Sequence, residues 1–110
     1  MLVPENRVRK KKDFEMAFKQ GDGFRQGFLY LKIRKNNLEA SRFGFVISKK
    51  FSKKAVIRNK TKRRLSEIIK AKLPEIKKGM DIVIVVMPGA ENDFQKLEQI
   101  IDKLFKKAKL

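Results

Sequence analysis

The chain contains no cysteine and no histidine. The first absence excludes disulfides and thiolate metal sites, and the second removes the commonest general base and metal ligand. Histidine-dependent triads and zinc-peptidase motifs are therefore impossible. The six glycines, at 21, 23, 27, 44, 79 and 89, are scattered, so there is no glycine-rich phosphate loop. The longest apolar run, Ile82 to Met87, falls far short of the ~20 residues that span a bilayer. No apolar segment follows the basic residues near the N-terminus, so we expect no signal peptide and a cytoplasmic location. Acids are scarce too: 12 against 29 basic residues, and too dispersed to suggest an acid/base pair. Asp13 reads as favouring the start of a helix and Asp81 as opening a strand. Any catalysis would draw most of its chemistry from elsewhere.

With 110 residues, 42% of them hydrophobic and nine of them Phe, the chain can bury one core, and we expect one domain over residues 1–110. A net charge of +17 opposes compaction unless a polyanion offsets it, which makes nucleic acid the leading partner.

Residues 1–10 show no periodicity and read as a basic arm. Phe14, Ala17 and Phe18 recur at helical spacing over Lys12–Gln20, with Gly21 as a stop signal. Leu29, Leu31 and Ile33 alternate with Phe28, Tyr30, Lys32 and Arg34, the two-residue period of a strand. A turn at NNLEA and a second strand over Arg42–Lys50 then suggest an antiparallel hairpin. Ala55 to Leu73 carries an apolar helical stripe of Ile57, Thr61, Leu65, Ile68 and Ile69, ended by Pro74. MDIVIVVM, residues 80–87, predicts a central strand covered on both faces. Asn92 and Gln95 resemble a capping box opening a last amphipathic helix. The expected order is α-β-β-α-β-α.

From Ser48 to Leu65 there are nine Lys or Arg and no acid, yet the apolar stripe persists, so the segment is a folded helix rather than a basic tail. At 100° per residue, Asn59, Lys62, Arg63, Ser66 and Lys70 point away from that stripe, with Arg58 and Lys60 at its flanks. Like charges one turn apart cost a few tenths of a kcal/mol each, and phosphates would neutralise them. Arginine forks two donors onto a phosphate where lysine is a point charge. On the first strand, aromatics beside cations suit single-stranded nucleic acid, whose bases stack on rings. Phe28 and Tyr30 could equally pack under a helix, and Phe14 and Phe18 could be core or platform.

RFGFVISKK and AVIRNKTKRR resemble the hallmark region of bacterial ribonuclease P protein subunits, and DFEMAFKQG, FLYLKIRK and GMDIVIV are similar to the flanking elements of that family. The similarity covers about residues 7–106. It departs where Lys60 stands for a usual Arg, where Phe51-Ser52-Lys53-Lys54 replaces a Gly-containing loop, and where Ser66 replaces an Arg. The resemblance implies an α+β fold: a two-layer α/β sandwich with a mostly antiparallel sheet of three to four strands and a left-handed β-α-β crossover. It further implies an endoribonuclease subunit whose RNA, with Mg²⁺, hydrolyses precursor tRNA to release the 5′ leader. By motif position, Lys49, Lys50, Arg58, Asn59, Lys60, Lys62 and Arg63 would contact the catalytic RNA, and Phe14, Phe18, Phe28 and Tyr30 would line a leader cleft. No catalytic residue, membrane or small-molecule substrate is expected, and Arg7 to Lys12 could add phosphate contacts. The rival readings are a ribosomal protein, indifferent to a leader; a metal-dependent nuclease, which needs clustered carboxylates; and a nucleoid protein preferring duplex DNA.

Overall fold

The apolar run at residues 80–86 organises the architecture. A computed structural model describes residues 6–8, 10–36, 38–47, 50–87, 94–108 and 110. Along the chain come α1 (Lys11–Gln20), β1 (Asp22–Gln26), β2 (Leu29–Lys35), β3 (Arg42–Ile47), α2 (Ala55–Lys72), a 3-10 turn at Leu73–Glu75, β4 (Met80–Val86) and α3 (Phe94–Lys107). The strands form one sheet in the order β1-β2-β4-β3, with β4 antiparallel to β2 and parallel to β3. A strand paired on both edges and largely covered on both faces favours apolar residues, and six of the seven in β4 are buried, Asp81 being the one charged residue among them. The fold is α+β with a mixed four-stranded sheet, two of whose three pairings are antiparallel.

Two expectations are corrected. The order is α-β-β-β-α-β-α, because DGFRQ at 22–26 is a strand. With Phe24 as its one large apolar residue, this edge strand lacks alternation and is made by pairing with β2. Nor do β2 and β3 form a hairpin: β4 lies between them, since its continuous apolar surface requires the central place. The real hairpin joins β1 to β2 through Gly27, at φ 59, and Phe28, so β2 starts at Leu29. Near the N-terminus, Arg7 bridges Phe43 and the Val8 amide donates to the Phe43 carbonyl at 2.8 Å, which ties that part of the expected arm to the edge of β3. Residues 1–5 and Arg9 lie outside the described residues, as does the Asn92 cap.

Residues opposed across a ladder face the same side. Leu29, Leu31, Ile33, Phe43, Ile82 and Ile84 therefore share one face, which packs with Leu65, Ile68 and Ile69 of α2 and Leu97, Ile101 and Leu104 of α3. Each such side chain contributes roughly 1.5–3 kcal/mol on burial. Ser66, expected on the outer side of α2, is instead buried, because the covered arc of this helix is wider than its aliphatic stripe. No helix among the described residues is long and apolar enough to cross a membrane.

The opposite face of the sheet carries α1. Gly44 of β3 lies under Phe14: a Cβ built at Gly44 would stand 2.5 Å from the ring. Gly21 ends α1 for a similar reason, its backbone being extended and a Cβ there being only 2.3 Å from the Ala17 carbonyl oxygen.

Candidate nucleic-acid interface

Two surfaces emerge, one on each side of the sheet. The first is the outer side of α2, where Asn59, Lys60, Lys62, Arg63 and Lys70 are exposed. Among the described residues no carboxylate pairs with Arg58, Lys60, Lys62 or Arg63. The helix also begins without a side-chain cap at Lys54 and with no acid in its first turn, which leaves amides and positive dipole at the end nearest the exposed Lys50, Lys53 and Lys54. Arg58 differs from its neighbours: it is half-buried, and one guanidinium nitrogen donates to the Ser52 carbonyl at 2.9 Å, bracing the loop before the helix. Lys49 lies outside the described residues. Val56, 75% exposed, shares a shallow concavity with Asn59, Lys62 and Arg63, an apolar contact that the charge pattern did not single out.

The second surface is the α1 face of the sheet. Register places Arg25, Tyr30, Val85 and Val46 in one row across the four strands; Gly23, Lys32, Val83 and Gly44 in the next; and Arg34, Asp81 and Arg42 in a third. Val83 and Asp81 are fully buried, whereas Val85, the one incompletely buried residue of β4, opens the row that holds Tyr30 and Val46. Phe14 rests on Gly44, and Phe18, one turn on along the same side of α1, is 40% exposed. The Tyr30 phenol reaches across β1 to the bare Gly23, where a Cβ would stand 2.2 Å from its hydroxyl. Lys32 places its ammonium 5.9 Å from the Tyr30 ring centroid while donating to the Gly21 carbonyl at 3.3 Å. This face thus carries aromatic rings, an incompletely covered row with Val46 and Val85, and the cations Lys32 and Arg25 beside Tyr30, a composition suited to stacking unpaired bases.

Of the four aromatics expected to line a leader cleft, Phe14 and Tyr30 lie on this face, over Gly44 and Gly23, and Phe18 is exposed on α1. Phe28 sits in the hairpin turn beyond the row, half-buried and packed against the core. Val46 and Val85 were missed; the available signal was that both are apolar on the strand phase opposite the main core. The scattered glycines also had a use, since an isolated glycine within a strand marks close approach. Gly44→Ala should force the Phe14 ring off β3 and cost about 1–2 kcal/mol, as overpacking does. A denaturant midpoint unchanged from wild type would show that the ring moves freely.

Sequence reading also missed a polar hub. The Arg42 guanidinium grips Asp81, Nε donating to Oδ1 at 2.8 Å and Nη2 to Oδ2 at 2.6 Å, and reaches Asp13 of α1 at 3.4 Å. Asn36 adds a donor to Asp81 at 2.9 Å. The Asp81 hydrogen bond, and then the nearby charges of both carboxylates, outweigh desolvation and raise the Arg42 pKa further above its ordinary range. Among the described residues no group of three or more potential ligands could hold a metal ion.

The ribonuclease P family model matches residues 2–109. A ribonuclease P protein component from Pseudanabaena sp. is 38% identical over 112 residues, covering 100% of this chain and 97% of that protein. One from Clostridium botulinum is 36% identical, with 96% of each covered. The Staphylococcus aureus RNase P protein structure superposes with a TM-score of 0.87 at 26% identity, over 94% of this chain and 95% of that one. The Thermotoga maritima RNase P protein, solved in complex with 1-(4-fluorophenyl)-2-thiourea, gives 0.83 at 34% identity, over 92% and 98%. With its sheet order, helices and near-full-length similarity in agreement, the chain belongs to the ribonuclease P protein component family.

Proposed function

We propose that this protein is the RNA-binding subunit of ribonuclease P, holding the catalytic RNA on the outer side of α2 and the 5′ leader of precursor tRNA in the α1 cleft. The observation that carries this reading is the basic outer side of α2, where no described carboxylate pairs with Arg58, Lys60, Lys62 or Arg63. Phosphates supply the missing charge, with Arg63, Lys62, Lys60 and Lys50 as contacts, Asn59 as a neutral donor and acceptor, and Arg58 sharing its guanidinium with Ser52. Lys49 belongs to the same basic run in sequence. In the cleft, Phe14, Phe18 and Tyr30 offer ring faces to leader bases while Lys32 and Arg25 follow the backbone; Phe28 would contribute only at the hairpin end.

Leader hydrolysis is assigned to the RNA, with Mg²⁺ held there. Asp13 and Asp81 are both engaged by Arg42 and are poorly placed to serve as metal ligands. The protein's part is to bind and orient, which lowers the Mg²⁺ that the RNA needs by supplying positive charge of its own.

The test is cleavage of precursor tRNA at low Mg²⁺ by a bacterial catalytic RNA, with and without the protein, beside a protein-only control. Stimulation that requires the RNA supports the reading. RNA binding without stimulation points to a ribosomal protein, and cleavage by the protein alone overturns the assignment of the chemistry. Tyr30→Ala should weaken binding of leader-bearing tRNA about tenfold, within the range for loss of one stacked base, and leave mature tRNA unaffected. Equal loss on both substrates would remove the leader from the cleft.

A further inference from the structure

We propose that Arg42 and Asp13 are positioning residues for the cleft, fastening the first turn of α1 to β3 so that Phe14 stays on Gly44, one row from the open row of Tyr30, Val85 and Val46, with Phe18 one turn further along α1. The inference rests on the leader reading above. Asp13 and Phe14 are consecutive on α1, and Arg42 and Gly44 lie two residues apart on one face of β3. The Asp13–Arg42 ion pair at 3.4 Å and the Phe14 ring on Gly44 therefore make a two-point attachment between the same two elements. Neither point suffices alone. A ring on a glycine can slide, and a single ion pair with side chains 22% and 23% exposed is a weak hinge.

Arg42 is itself held rigidly. Its other two donors grip Asp81, which is 1% exposed and fixed in turn by Asn36. A guanidinium locked on one side presents its remaining nitrogen to Asp13 in a fixed place, so β4 sets the position of α1 through β3. Asp13 meets Arg42 in the row of Arg34 and Asp81, two rows from that of Tyr30 and Val85, so its effect on RNA passes through helix placement.

The experiment uses Asp13→Asn, which keeps the shape and removes the charge, with Asp13→Glu as the conservative variant. Affinity for leader-bearing precursor tRNA, mature tRNA and catalytic RNA is measured alongside amide hydrogen exchange of the free protein. We expect Asp13→Asn to weaken binding of leader-bearing tRNA about two- to fivefold, the range of a partly exposed ion pair. Mature tRNA and catalytic RNA should bind as before. Exchange should quicken over Lys11–Gln20 but not over α2 or α3, and Asp13→Glu should restore both readouts. Unchanged α1 exchange, or equal weakening on all three RNAs, overturns the inference. If wild type shows no leader preference while α1 exchange still rises in Asp13→Asn, the attachment stands and the leader reading falls.

Discussion

Asp81→Ala should remove about 3 kcal/mol of stability and lower Tm by about 10 °C or more, the largest single-residue loss we expect outside the aliphatic core. Asp81 is buried in the central strand and accepts three hydrogen bonds, two from Arg42 and one from Asn36. Its removal leaves a partly buried guanidinium with only the longer contact to Asp13. Breaking a buried pair from one side costs about 3–5 kcal/mol, and we take the lower end because Arg42 keeps 22% side-chain exposure and can turn toward water. A domain of this size holds about 5–15 kcal/mol in all, so the variant should still fold at low temperature. Thermal unfolding within 2 °C of wild type would show that the hub is dispensable.

Replacing Lys62 and Arg63 together by Ala should weaken binding to the catalytic RNA about a hundredfold, with no change in Tm. Both are exposed and unpaired among the described residues, so the fold loses little. RNA loses two charge-assisted contacts. The slope of log K against log salt should become shallower by about 1.4 to 1.8, near the value for two phosphates. Arg58 is the poorer test, since its bond to the Ser52 carbonyl means that truncation also loosens the loop. A reduced affinity with an unchanged salt slope would mean that these side chains do not meet phosphates.

Whatever depended on local periodicity was legible beforehand. The amphipathic stripe of α2 placed its cations outward, and the apolar run from Ile82 to Val86 in β4 announced a central strand. What could not be read was non-local. DGFRQ becomes a strand only because β2 offers it a partner. The separation of β2 from β3 depends on a strand that comes some forty residues later. The hub joins Asp13, Arg42 and Asp81 across 29 and 39 residues, and each reads on its own only as a residue near the start of its helix or strand. For the α1 face, aromatic identity left Phe14, Phe18, Phe28 and Tyr30 open between core and platform, the family resemblance supplied the leader reading, and the neighbouring Val46 and Val85 needed the register.

The sheet order has a consequence for synthesis. The fourth strand to emerge occupies an inner position, so the β1–β2 hairpin can close early while β3, bridged only at Phe43 by Arg7, has no strand partner until β4 has been completed at Val86. At roughly 5–20 residues per second, the interval from Ile47 to Val86 lasts about 2–8 s. During it the chain presents the Phe43, Phe45 and Ile47 edge together with the basic helix that follows, beside the polyanionic ribosome. On the proposed reading, the charge that binds the catalytic RNA has an earlier polyanion at hand, and the newborn chain should linger on ribosomal RNA until its last strand arrives.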